Sequence, residues 1–289
     1  MSDLSIKGVI AGDDFITETV LTAIERNDNL SEYWIAAQNP QRCEALKRKY
    51  NINATTDLDF VSKSKVLILT FKAENAKDML SNLVGKVTED TIIVSVVPGI
   101  ALIFIHNFFP KNQIVRMTMN PSVISGEGLA AYVTNKNSTE ETKELAKSML
   151  SGFGQIVKVN DENEFEKVRR FILANTFLSY VVVKSMIEAA QKIGFSTEQA
   201  GILIDQILKG ASRSLLELQF EGGEMLKDGL RNQKFINQAV DLIRDYGIYS
   251  SIERYLTTKE YRSLFEAHSD DNEDGLHISY DWFNKMTGD

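Results

Sequence analysis

The amino-acid sequence reads as an α/β chain, with a mostly parallel sheet domain followed by an all-helical domain. Three observations carry that reading. Short apolar runs alternate with helix-patterned segments through the first part of the chain. All four prolines (Pro40, Pro98, Pro110 and Pro121) lie in the first 121 residues. After about Asp161 the apolar spacing becomes helical and no proline interrupts it, as long continuous helices require.

Taken in order, residues 8–11, 33–37, 66–71, 92–97 and 114–115 are near-continuous hydrophobic runs. Such runs are typical of strands buried on both faces of a parallel sheet. Pro40–Tyr50, residues 74–83 and residues 100–109 are helix-like segments between them, giving the strand–helix–strand order of right-handed crossovers. Residues 129–133 and 155–159 add edge strands. Phe165, Val168, Phe171, Ile172 and Asn175 then lead into Leu178, Val182 and Met186 on one long helix. Its apolar face is wider than one domain buries, so helix packing across a subunit interface is expected, in a homodimer or an oligomer of dimers. Further helices are expected over residues 197–220, 233–246 and 249–268. The resulting organisation is a sheet domain over 1–160, a helical dimerisation domain over 161–268, and an acidic tail over 269–289.

The 289-residue length suits about two domains. A net charge of −8 argues against nucleic-acid partners, because a phosphate-tracking surface needs clustered Lys and Arg. The single cysteine, Cys43, cannot form an intrachain disulfide and points to a reducing, cytoplasmic setting. The N-terminal stretch lacks the apolar region of a secretion signal, since Asp13 and Asp14 soon interrupt it. The most apolar window, residues 171–190, contains Asn175, Lys184 and Glu188. Charges are costly at mid-membrane, so this window reads as a buried helix, with no membrane partner.

The first strand-to-helix turn is where a dinucleotide-binding domain places glycines that let the backbone approach a diphosphate. Here it reads Ala11-Gly12-Asp13-Asp14-Phe15-Ile16, so only Gly12 is available. An Asp in this turn can instead cap the helix and satisfy its orphan N–H groups without any ligand. Repulsion between a carboxylate and a phosphate favours the cap. The second strand normally ends in an acid for an NAD ribose or an Arg for an NADP phosphate. This chain has Ala37-Gln38-Asn39-Pro40, with Arg42 one helical turn further on.

Residues 39–50, Val66 to Lys72, Ser95-Val-Val-Pro-Gly99, Arg116-Met-Thr-Met-Asn120-Pro and Gly126-Glu-Gly128 occur in an order that resembles the pyrroline-5-carboxylate reductase family. The resemblance covers nearly the whole chain. It implies a Rossmann-like domain, a helical domain that interlocks two subunits, and reduction of the C=N bond of pyrroline-5-carboxylate to proline by NADPH or NADH. On it, Gly12 is the phosphate-side cofactor candidate, and Lys72, Gly99 and Asn120 surround the nicotinamide end. The departures are specific. The family's Gly-x-Gly-x-x-Ala turn falls on Ala11, Asp13 and Ile16, and its Asn-Arg pair after strand two on Ala37-Gln38. Its Ser-Gly-Ser-Gly-Pro-Ala-Tyr stretch falls on residues 172–178, with Leu173 and Phe177, and its Ser-Pro-Gly-Gly-Thr-Thr loop near residues 231–236, with Phe235. Reductase activity is therefore expected to be weak, altered or lost. The alternative is a noncatalytic dimeric binding or regulatory protein.

No nucleophile–base pair or zinc cluster stands out, and His106 reads as a structural histidine. One further pattern lies in the tail, where Asp270, Asn272, Asp274, Gly275 and Asp281 fit the calcium-loop template. His277 and the short Asp281 depart from that template, and a solvated acidic tail is the competing reading.

Overall fold

The computed structural model describes residues 6–217, 238 and 241–257. The chain forms two compact units, one running to Leu173 and the other spanning Ala174–Glu266.

The first unit is built on an eight-stranded sheet of order β3-β2-β1-β4-β5-β6-β7-β8. The strands are β1 (Ile6–Ala11), β2 (Tyr33–Ala36), β3 (Asn53–Thr55), β4 (Ser64–Thr70), β5 (Ile92–Ser95), β6 (Ile114–Met119), β7 (Gly128–Thr134) and β8 (Gly154–Lys158). The helices between them are α1 (Asp14–Glu25), α2 (Pro40–Tyr50), α3 (Ala76–Leu83), α4 (Leu102–Phe108) and α5 (Glu140–Leu150). Consecutive residues of a strand face opposite sides, so each apolar run feeds two cores. Val9, Ile68 and Val94 pack with α1 and α2 on one face. Ile10, Leu67, Leu69 and Ile93 pack with α3 and α4 on the other. This is a Rossmann-like sheet, in which β1 and β4 pair in parallel where the strand order reverses.

Three elements differ from the sequence expectation. Residues 129–133 do not form an edge strand: β7 lies inside the sheet, antiparallel to β6 and parallel to β8. Gly128, Ala130 and Ala131 make that position habitable by letting neighbouring backbones and side chains close on it. The opposite edge is β3, a short polar strand that no apolar run announces. Helix α5 is amphipathic and provides the crossover from β7 to β8.

The second unit contains the later part of α6 (Glu162–Lys192), together with α7 (Thr197–Glu217) and α8 (Ile248–Thr257). The first three turns of α6 belong to the sheet unit, so the division falls inside the helix and not at its start. Phe165 is fully buried there with Val133 and Val159. Arg116, only 3% exposed on β6, pairs with Glu162 and with Glu166 at 2.8 Å, and its guanidinium lies 4.5 Å from the Phe165 ring centre. The expectation of a buried helix over residues 171–190 is corrected. Phe171, Val181 and Val182 are exposed on the single chain, and α6 is long and apolar enough by composition to cross a membrane.

Candidate functional site

The carboxyl ends of β1, β4, β5 and β6 share one edge of the sheet, because these strands run parallel. In such sheets ligands bind where the strand order reverses, here between β1 and β4. A cleft of about 520 Å³ opens there, lined by Gly12, Asp13, Phe15, Gln38, Lys72, Glu74 and Asn75. The strand register places it: Ala11 pairs with Thr70, and the Asp13 amide donates to the Thr70 carbonyl at 2.9 Å. The residues after Ala11 and Thr70 are thereby brought side by side.

Gly12 is required by packing. A Cβ there would stand 2.7 Å from the Phe71 Cβ and 2.9 Å from its Cα, closer than side-chain atoms tolerate. Its absence of a side chain lets the ends of β1 and β4 close together. Asp13 takes the other half of the turn. It sits in extended conformation as the N-cap of α1, and its Oδ1 accepts from the Ile16 amide at 3.0 Å. This is the cap reading of the turn. The amide a diphosphate would use at a helix N-terminus is occupied by a carboxylate of the chain itself.

Lys72 follows β4 and is exposed on the cleft wall, where it makes no ion pair with the described residues. The structure thus brings together two of the four cofactor candidates, Gly12 and Lys72. Gly99 and Asn120 follow β5 and β6 on the same sheet edge but do not line the cleft. Gly99 adopts φ +80° in the β5–α4 loop, a conformation that favours glycine. Asn120 works as a clip: its Oδ1 accepts from the Leu129 amide at 2.9 Å, and its own amide donates to the Leu129 carbonyl.

The Gly126-Glu-Gly128 pattern has an architectural cause as well. Gly126 ends a 3₁₀ turn with φ +79°. A Cβ on Gly128 would meet Val123 at 2.3 Å and the Phe153 carbonyl at 2.5 Å. Residues 172–178 remain within continuous α6, and Leu173 and Phe177 are half-buried on it. Phe235 and residues 231–236 lie outside the described residues, as do Asp270, Asn272, Asp274 and Asp281. Among the described residues no group of three His, Cys, Asp or Glu side chains converges on a possible metal position. His106 lies on α4, away from the cleft lining.

Electrostatic pairing around the second strand was not legible from local pattern. The Arg42 guanidinium donates to Glu18 Oε1 at 2.8 Å, and Lys49 pairs with the other oxygen, Oε2. Burial raises the Glu18 carboxyl, but the hydrogen bonds from Lys49 and Arg42 outweigh it and hold it below its ordinary value. Arg42 is therefore directed at α1, across 24 positions of sequence.

A family model described as NADP oxidoreductase, coenzyme F420-dependent, matches residues 8–99. Pyrroline-5-carboxylate reductase of Haemophilus influenzae is 26% identical over 156 residues, covering 54% of this chain and 58% of the relative. Pyrroline-5-carboxylate reductase 1 of Bacillus subtilis is 24% identical over 229 residues, covering 78% of this chain and 76% of the relative. Among solved structures, a pyrroline-5-carboxylate reductase from Coxiella burnetii superposes with TM-score 0.78 at 18% identity, over 93% of this chain and all of the other. Plasmodium falciparum pyrroline carboxylate reductase with NADP bound superposes with TM-score 0.72 at 16% identity, again over 93% of this chain and all of the other.

Proposed function

The chain belongs to the pyrroline-5-carboxylate reductase family, and from that premise we propose that it holds NAD(P)H loosely and reduces pyrroline-5-carboxylate poorly or not at all. The observation that carries the reading is the Asp13 cap on α1. A diphosphate at that helix end meets a negative charge and finds the Ile16 amide already satisfied. Each tenfold loss of affinity takes only about 1.4 kcal/mol, so one misplaced carboxylate is enough to matter.

The cleft still suits a nucleotide in size and in position at the switch point. Gly12 would bring the backbone close, and Lys72 would supply the cation. When bound, the nicotinamide carries the hydride chemistry; the chain's own part is to bind and orient. On the substrate side, Leu173 and Phe177 present apolar groups where the family places small residues and hydroxyls. A carboxylate held by neither hydroxyl nor amide is poorly fixed for reaction, and turnover depends on near-attack geometry. A dimeric binding protein without turnover is the limit of the same reading.

The helical unit supports self-association. Ile202, Leu203 and Ile207 are exposed on α7, with Leu215 and Leu216 beyond them. Exposed apolar side chains gathered on one helix suit an interaction face, and a second copy is the partner proposed.

A steady-state assay with pyrroline-5-carboxylate and either nucleotide tests the functional reading. Turnover well under about 10 per second, the median for enzymes, is expected. Turnover at or above that value contradicts the reading.

A further inference from the structure

We propose that Glu18 sets the nucleotide preference of this cleft: by holding Arg42, it withholds the first cation past β2 from the 2′-phosphate of NADPH and makes NADH the better ligand. The inference rests on the cleft taking a dinucleotide at all.

In a sheet of this kind the residues just after β2 meet the adenosine ribose. Here these are Ala37, Gln38, Asn39 and Pro40. Gln38 lines the cleft and offers a neutral amide, which can donate to and accept from the two hydroxyls of an NADH ribose. The Asn39 side chain is committed to the cap of α2, where its Oδ1 accepts from the Arg42 amide at 2.8 Å. Arg42 is the first cation past the strand. Its planar fork suits a phosphate, but it is turned onto Glu18 at 2.8 Å. Lys49, a second cation on α2, converges on the same carboxylate.

A 2′-phosphate adds about −1.5 to −2 charges. To meet it, Arg42 must give up its 2.8 Å contact with the half-buried Glu18 carboxylate, which is then left to Lys49 alone. NADH avoids that cost.

The test is a fluorescence titration of the full-length protein with NADH and with NADPH, repeated on Arg42→Ala, Glu18→Gln and the double variant. The wild type is expected to bind NADH about tenfold or more tightly than NADPH. Arg42→Ala should leave that gap unchanged, because the guanidinium serves Glu18 and not the nucleotide. Glu18→Gln should strengthen NADPH alone and narrow the gap to within about threefold, and the double variant should reopen it. The wild-type and Arg42→Ala titrations decide the matter even if Glu18→Gln fails to fold. NADPH binding as tightly as NADH, or weakening on Arg42→Ala, overturns the role of Glu18 while leaving the cleft a nucleotide site. No binding of either nucleotide at millimolar concentration overturns the dinucleotide reading, and this assignment with it.

Discussion

Asp13 serves the fold as the N-cap of α1, at the position where the proposed reading has its charge oppose a diphosphate. As an N-cap it satisfies an orphan amide of α1, which contributes about 1 kcal/mol to a helix. Asn caps equally well without the charge. Asp13→Asn is therefore predicted to raise NADH affinity by about tenfold, while changing unfolding free energy by less than about 1 kcal/mol. Calorimetric titration and urea unfolding read the two quantities separately. Other residues of the family pattern are kept for architecture. Asn120 clips β6 to β7, and Gly128 makes room for Val123 and Phe153. The cap on α1 was legible from Gly12-Asp13-Asp14, because capping is a local property. The pairing of Arg42 with Glu18 was not, because nothing near either residue specifies the other.

At the level of elements, Arg116 ties β6 to the first turns of α6. Glu162 Oε1 also accepts from the Leu102 amide at 2.9 Å, so the same carboxylate holds the start of α4. Glu166 is further bound by Arg169 at 2.7 Å. Arg116→Met should cost about 2 kcal/mol in urea unfolding, since it takes the buried cation from the part-exposed Glu162 and Glu166 carboxylates. Glu18, Asp28 and Glu166 share a second consequence. Burial raises each carboxyl, and hydrogen bonds and charge from Lys49 and Arg42, from Lys7 and Tyr33, and from Arg169 and Arg116 respectively bring each below its ordinary value. A carboxyl lowered in the folded state stabilises fully above its unfolded value and loses that contribution as pH falls through the folded one. Unfolding free energy should thus be flat near neutrality and decline below about pH 4.5, measured by urea unfolding at stepped pH. Helix α2 was readable to its ends, because Asn39-Pro40 starts it and Asn51 closes it in left-handed conformation. Strand β3 escaped because Asn53-Ala54-Thr55 holds one small apolar residue between two polar ones, too little to make an apolar run.

For the whole molecule, sequence periodicity conveyed the order of sheet then helices, but not where one unit stops. The boundary lies inside α6 because Phe165 and Arg116, 49 positions apart, meet across the sheet edge. Ile193, in the turn after α6, and Ile202 on α7 are 77% and 65% exposed, and the proposed self-association would cover such surface. Equilibrium sedimentation is expected to give a dimer at micromolar concentration; a stable folded monomer would argue against the subunit interface proposed here. On the proposed reading the framework and the cleft make separate demands on the sequence, and the framework is the better met. Calorimetric titration of the wild-type protein with NADH tests that claim most directly. A dissociation constant weaker than about 100 μM, or near −5.5 kcal/mol, is predicted. Binding at about 1 μM or tighter would show that Asp13 leaves the diphosphate site intact, and would contradict the account.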